Sequence, residues 1–213
     1  MFTGLIEHMG IVAGVERIPA GVRLEIDPAG WTYRPQAGAS VAVNGCCLTV
    51  AADPSTTSGR FAFNVVPQTL AMTTLGGLQP GSKVNLEASA TPQTLLGGHV
   101  VQGHIDGTGR VLQVVTAGEY RLRISADPHV MEFITPKGSI AVEGVSLTVA
   151  GVNVEPGGGG WFDIALIPTT LEKTTLGSLV AGDRVNLETD VLGRTVVHWL
   201  KNFASGRIGG PES

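Results

Sequence analysis

One phrase occurs twice in this 213-residue chain. The first copy runs Ala42-Val43-Asn44-Gly45-Cys46-Cys47-Leu48-Thr49-Val50. The second runs Ala141-Val142-Glu143-Gly144-Val145-Ser146-Leu147-Thr148-Val149. They lie 143 − 44 = 99 residues apart, about half the chain. That period is too long for a solenoid unit and suits a duplicated small domain. Other landmarks keep the step: Gly4 matches Gly103, and Gly10 matches Gly109. Val66-Pro67-Gln68-Thr69-Leu70 matches Ile167-Pro168-Thr169-Thr170-Leu171 at 168 − 67 = 101, so an intervening hairpin tip has gained two residues.

Each half reads as short strands. Val22-Arg23-Leu24-Glu25-Ile26 and Tyr120-Arg121-Leu122-Arg123-Ile124 alternate apolar and other residues, the strand period. Asp27-Pro28 and Asp127-Pro128 stop those strands. Short helices or turns are expected next, around Trp31 and around Val130-Met131-Glu132-Phe133. Asn44-Gly45 and Glu143-Gly144 read as turn or bulge residues, and hairpin tips fall at residues 53–59 and 156–160. Pro67 and Pro168 open short helices, and Lys83-Val84-Asn85-Leu86-Glu87 and Arg184-Val185-Asn186-Leu187-Glu188 are closing strands. The fold class is all-β: two tandem homologous six-stranded antiparallel barrels, because closure removes exposed edges. The domains are residues 1–97 and 98–193, joined by a linker at 90–98. Val196, Val197, Leu200 and Phe203 then recur at helical spacing. A C-terminal α-helix over 194–206 is expected, for oligomerisation or for packing on its own barrel. Residues 207–211 are expected to fray.

Composition narrows the function. With 43% hydrophobic and 15% charged residues, packed cores are expected rather than disorder. A net charge of −4 argues against a nucleic-acid footprint. No apolar run has membrane-span length, the first residues do not read as a signal peptide, and a cytoplasmic location is expected. The only cysteines, Cys46 and Cys47, are adjacent and lack metal-site spacing. His8, His129 and His198 have no partners at ligand spacing. The glycines at 157–160 lack the Lys-Ser/Thr of a phosphate loop, and the repeat puts them at a hairpin tip.

Met1-Phe2-Thr3-Gly4, the first repeated phrase, Gly97-Gly98-His99 ahead of Gly103-His104-Ile105, the second repeated phrase, and Ile167-Pro168-Thr169-Thr170-Leu171 with Thr174-Thr175-Leu176 together resemble the riboflavin synthase alpha-chain family. The resemblance runs from Met1 to about Phe203. It implies two Greek-key barrels and a C-terminal helix. It also implies a homotrimer, with active sites between the first barrel of one subunit and the second barrel of its neighbour. The implied reaction is a transfer between two molecules of 6,7-dimethyl-8-ribityllumazine. One gives up a four-carbon unit and the other accepts it, yielding riboflavin and 5-amino-6-(D-ribitylamino)uracil. Neither metal nor external cofactor takes part in the family's reaction.

By the same resemblance, the substrate sites are lined by Gly4, Leu5, Ile6, Cys47, Leu48, Thr49, Asn64, Val65, Val66, Pro67, Gln68 and Thr69. The matching set is Gly103, His104, Ile105, Lys137, Ser146, Leu147, Thr148, Ala165, Leu166, Ile167, Pro168, Thr169 and Thr170. The candidate catalytic residues are His104, Ser146, Thr148, Cys47 and Asp190. Strand parity sorts part of this set. Cys46, Leu48 and Val50 share one face, as do Val145, Leu147 and Val149, and both sets are core-like. Cys47 and Thr49 share the other face with their counterparts Ser146 and Thr148.

The halves also differ. His104 stands where the first half has Leu5, and Asp190 where it has Ser89. Two identical substrates need different roles, so such asymmetry is required. An imidazole titrating near neutrality is suited to remove a proton from the acidic methyl at position 7 of the lumazine. By resemblance, Ser146 delivers or orients a nucleophile, with a bound water as an equal candidate, and Thr148 assists. Asp190 orients His104 or contacts the partner site. Lys137 touches substrate or is an ordinary solvated lysine. The plainer alternative for Cys47 is a small buried hydrophobe, and for His104 a structural strand histidine. The competing function is a non-catalytic lumazine- or flavin-binding antenna on the same scaffold. No nicotinamide-binding glycine fingerprint follows a strand.

Overall fold

The computed structural model describes residues 1–204. Its first half contains β1 (His8–Ile18), β2 (Gly21–Asp27), β3 (Ser40–Val43), β4 (Cys46–Ala52), β5 (Phe61–Val65), helix α1 (Pro67–Met72) and β6 (Lys83–Ala88). The second contains β7 (Gly107–Val115), β8 (Tyr120–Ala126), α2 (Pro128–Met131), β9 (Ser139–Val142), β10 (Val145–Val154), β11 (Gly160–Leu166), α3 (Pro168–Lys173) and β12 (Arg184–Thr189). Helix α4 (Val191–Trp199) follows and continues into wider turns over Leu200–Ala204. Neighbours around the first closed barrel run β1-β2-β5-β4-β3-β6 and around the second β7-β8-β11-β10-β9-β12. All these pairings are antiparallel, so the expected two-barrel architecture is what the chain forms. Register shifts recur at matched places, Val12/Gly14 with Val111/Gln113 and Val50/Ala52 with Val149/Gly151. Such bulges bend strands and help a six-stranded sheet close.

Alternation places the core. Leu24, Ile26, Phe61, Phe63, Val84 and Leu86 fill the first barrel. Their matches Leu122, Ile124, Phe162, Ile164, Val185 and Leu187 fill the second. Burying a side chain of this size contributes about 1.5–3 kcal/mol.

The repeated phrase joins the barrels. Asn44-Gly45 and Glu143-Gly144 are two-residue turns, β3 to β4 and β9 to β10. Their φ values of 46° and 78°, and 50° and 81°, are left-handed at both positions, as tight hairpins with right-handed twist require. The two turns sit back to back. A Cβ on Gly45 would lie 2.6 Å from the Gly144 nitrogen, so neither glycine has room for a side chain. Buried asparagines cross between the halves. Asn85 Nδ2 donates to Glu143 O and Asn186 Nδ2 to Asn44 O, both at 2.9 Å. Asn85 Oδ1 accepts from Thr175 N at 2.8 Å, and Asn186 Oδ1 from Thr74 N at 2.7 Å. Asn44 Oδ1 takes the Asn85 N–H at 2.7 Å and Glu143 Oε1 the Asn186 N–H at 2.6 Å; Glu143 differs in also taking the Thr74 hydroxyl at 3.3 Å. Burial pushes its carboxyl up to about 8, so it stays protonated at neutral pH.

Two local expectations are refined. The segment at Trp31 is a turn, with Trp31 N donating to Pro28 O at 3.0 Å, whereas its counterpart in the second half forms α2. The C-terminal helix begins at Val191 rather than at residue 194. Asp190 starts it by accepting the Leu192 N–H at 2.9 Å, an N-cap that apolar spacing does not register. Residues 205–206 of the expected helix, and the fraying expected at 207–211, lie outside the described residues.

Candidate active site

Strand β4 pairs with β5 only from Val50 onward, and β10 with β11 only from Val149 onward. This leaves the outer edges near Cys47 and Ser146 without a strand partner, and backbone groups there need one. The other half of the chain supplies it. Cys47 N donates to Gly103 O at 2.9 Å, and Ser146 N donates to Gly4 O at 2.8 Å. Close approach demands glycine at both places. A Cβ on Gly103 would lie 2.5 Å from Cys47 Cβ, and one on Gly4 2.6 Å from Ser146 Cβ. The residues that follow also cross over. Ile6 packs on the second barrel's core and Ile105 on the first's. Phe2 and Val101 bridge reciprocally between the crossing segments at 2.7 and 3.1 Å. They bury with Ala42 and Ala141 against Cys47. The N-terminal Phe2 is thus held within its own chain.

A cavity of about 180 Å³ opens beside the second crossing. Gly4, Leu5, Ile6, Val145 and Ser146 form one wall, and Thr169, Thr170, Lys173 and Thr174, mostly on α3, form the other. The first barrel repeats the arrangement in part, with Gly103 and Ile105 brought to Cys47 and the first-barrel core. Ser146 and Cys47 are both half-buried on the outward face, as strand parity predicts, while Cys46, Leu48 and Val50 face the core. Thr49 and Thr148 lie exposed two residues farther along. Val65 and Leu166 point into the barrel cores, and Leu147 packs against the second core. Asn64, Val66, Pro67, Gln68, Ile167 and Pro168 are exposed from the strand ends into the first turns of α1 and α3, while Ala165 and Thr69 are half-buried. Lys137 is exposed in a left-handed turn, φ 64°, with its N–H on Val149 O at 2.9 Å. A larger cavity of about 420 Å³, near Arg110, Ser125, Asp127 and Glu155, contains none of these residues.

Ser146 meets a residue that repeat comparison passes over. His99 Nδ1 lies 2.7 Å from Ser146 Oγ. Burial lowers the His99 pKa, and the nearby Asp190 charge offsets part of that shift. The ring is therefore neutral near pH 7. In the tautomer that leaves Nδ1 unprotonated the Ser146 hydroxyl donates to it; in the other, Nδ1–H donates to Ser146 Oγ. Its Nε2 is buried without a hydrogen-bond partner among the described residues. Asp190 thus bears on His99 while capping α4, and of the two roles expected for it, orienting His104 has no bond behind it among the described residues. The His104 side chain is exposed, and its backbone N–H is held by Glu188 at 3.0 Å. His104 follows Gly103, whose carbonyl is bonded by Cys47 N of the first barrel at 2.9 Å, so this second-half histidine is carried on a segment that crosses to the first barrel. Lys173 is a further cavity residue, absent from the set expected from sequence. Its place on the helix opened by Pro168 was the available signal.

Comparison with known proteins matches this geometry. The lumazine binding domain family model matches residues 3–89 and again 102–190. A riboflavin synthase from Mycobacterium tuberculosis is 43% identical over 203 residues, covering 95% of this chain and 99% of that protein. One from Brucella abortus is 41% identical over 197 residues (91% and 95%), and one from Bacillus subtilis 36% identical over 203 residues (94% and 90%). Among solved structures, LumP complexed with 6,7-dimethyl-8-(1'-D-ribityl) lumazine superposes with a TM-score of 0.76 at 26% identity, covering 89% of this chain and 99% of that one. The duplicated barrels, the matched crossings and these full-length similarities agree: the chain belongs to the riboflavin synthase family of lumazine-binding proteins.

Proposed function

We propose that this protein is a riboflavin synthase that dismutates 6,7-dimethyl-8-ribityllumazine. One molecule transfers a four-carbon unit to the other, giving riboflavin and 5-amino-6-(D-ribitylamino)uracil. The observation that carries the reading is a pair of matched sites with different reactive groups: Ser146 with His99 at one, Cys47 beneath the His104 segment at the other. Matched shape suits two copies of one substrate, and unlike chemistry suits a donor and an acceptor. The neutral His99 takes a proton from Ser146 Oγ or from a water that Ser146 orients, and the resulting nucleophile adds to one ring. His104 is placed to remove a proton from the acidic position 7 methyl of the other. Thr148, Asp190 and Lys137 are proposed as supporting contacts. The transfer joins two like rings and needs no external cofactor.

The LumP complexes with the ribityl lumazine and with riboflavin favour a second reading, a binding protein without turnover. The His99–Ser146 pair supports the enzyme instead. Incubating the purified chain with the lumazine alone decides between them. Riboflavin absorbance appears if it is a synthase, and tight binding without product leaves only the antenna.

We further propose a cytoplasmic homotrimer whose active sites form between the first barrel of one subunit and the second of its neighbour, with no nucleic-acid or membrane partner. Support comes from α4: Leu192, Val196, Trp199 and Phe203 are each at least half exposed in the single chain, an apolar face that favours burial against another copy. No helix among the described residues is long and apolar enough to cross a membrane. A chain truncated after Asp190 is expected to sediment as a monomer. Full-length sedimentation of the truncated chain would exclude α4 as the basis of assembly, and recovery outside the cytoplasmic fraction would contradict the location.

A further inference from the structure

Each barrel buries one glutamate near the end of its last strand, Glu87 on β6 and Glu188 on β12, only 3% and 2% exposed. Neither lines the cavity at Ser146. Glu87 Oε1 accepts Thr3 N at 2.6 Å and Thr3 Oγ1 at 2.7 Å, and its Oε2 accepts Gly4 N at 3.1 Å. Glu188 accepts Gln102 N at 2.6 Å, Gly103 N at 2.8 Å and His104 N at 3.0 Å. These are the crossing segments. Thr3-Gly4 is anchored in the first barrel and presents Gly4 O to Ser146 of the second. Gln102-Gly103-His104 is anchored in the second barrel and presents Gly103 O to Cys47 of the first.

A buried acid is unfavourable unless its oxygens are well bonded, and a carboxylate gathering backbone N–H groups bonds them strongly. The acid stands in both halves, although adjacent matched positions have drifted, Ala88 against Thr189 and Ser89 against Asp190. Burial raises both carboxyls, Glu188 to about 7, while their N–H donors pull them down. Asp106 raises Glu188 further and Arg194 lowers it, and Glu7 raises Glu87. Arg194 pairs with Asp106 at 2.5 Å and bonds Gln102 Oε1 at 2.7 Å, bracing the same segment from α4.

We infer that Glu87 and Glu188 are positioning residues, each holding from one barrel the segment that closes the substrate site of the other. A ligand seated in one site therefore presses on chain anchored in the opposite barrel. The inference rests on the synthase reading insofar as these are substrate sites.

Glu188→Gln and Glu87→Gln in the full chain test it, because glutamine keeps one acceptor oxygen and turns an NH2 toward the donors. The readout is alkylation of native Cys47 by iodoacetamide. In the wild type Cys46 does not compete, since burial first and the neighbouring Cys47 and Glu188 next push its thiol up to about 12; Cys47→Ser, alone and combined with Glu188→Gln, supplies the blank for each background. Glu188→Gln is expected to speed labelling about tenfold, the scale of one lost charge-assisted bond. Glu87→Gln frees Thr3-Gly4 beside the Phe2 that packs on Cys47, and is expected to speed labelling by no more than about twofold, less than Glu188→Gln. A general loosening does not give that order. Equal acceleration in both variants, or acceleration in Glu87→Gln alone, overturns the inference. If a variant does not fold, amide exchange of the wild type decides. Protection at Gly4, Gly103 and His104 supports the anchoring, and exchange at free-chain rates refutes it. Neither readout uses lumazine, so failure of the synthase reading shows separately, as wild-type protein that makes no riboflavin.

Discussion

His99→Ala is expected to slow riboflavin formation by about 10²–10⁴-fold, the range for removing a positioned general base, while riboflavin binding stays within a few fold. The reason is local. Among the described residues the titratable partner of Ser146 Oγ is His99 Nδ1 at 2.7 Å, and burial lowers that ring's pKa, favouring its neutral form. A hydroxyl without such a base is a poor nucleophile, and a water held by Ser146 would lose the same acceptor. His99→Gln restores a polar group but no titrating nitrogen, so it is expected to be as slow as His99→Ala. Steady-state rates with a riboflavin-binding titration check both parts. Turnover within about threefold of wild type, a difference worth less than 1 kcal/mol, would remove His99 from the chemistry. His104→Ala in the same assay shows whether the proton removed at the other ring goes to His104.

Gly45→Ala is expected to destabilise the protein on the order of 3 kcal/mol, combining a left-handed residue that has gained a Cβ with overpacking. The new Cβ meets Gly144 N at 2.6 Å and Gly144 Cα at 2.8 Å. Both are backbone atoms of a tight turn, so the barrels must part. Gly38→Ala separates strain from collision. Gly38 also has positive φ, 88°, but a methyl group there would find nothing within 4 Å. Its counterpart Lys137 already carries a side chain at φ 64°. That variant is expected to lose only about 1 kcal/mol. Urea unfolding of both gives the difference directly. Equal losses would mean that the contact between the two turns adds nothing to stability.

The barrels were legible because alternation and turn chemistry are local. Leu24 and Ile26 announce an inward face, and Asn44-Gly45 announces a tight turn, without reference to distant chain. The crossings were not. Ser146 meets Gly4, and Cys47 meets Gly103, through backbone bonds that leave no pattern in nearby residues. Comparing the halves therefore places His104 in its repeat but does not show that its segment crosses to the other barrel. His99 escaped for a related reason. One repeat before it falls ahead of Met1, so it has no partner to be compared with, and in the sequence it stands out only as part of a family motif. Asp190 was marked by its difference from Ser89, yet only the fold shows it capping α4 and lowering the charge cost of protonating His99. Glu87 and Glu188 carry no local mark beyond ending the closing strands, since the N–H groups they gather lie 83–86 residues away.

On the proposed reading, two matched sites with unlike reactive groups let two molecules of one substrate meet and leave as different products. Product stoichiometry tests this most directly. With 6,7-dimethyl-8-ribityllumazine as sole substrate, two molecules should disappear for each riboflavin formed, with one 5-amino-6-(D-ribitylamino)uracil released. One lumazine consumed per riboflavin, or riboflavin formed only when a second carbon donor is added, would contradict it.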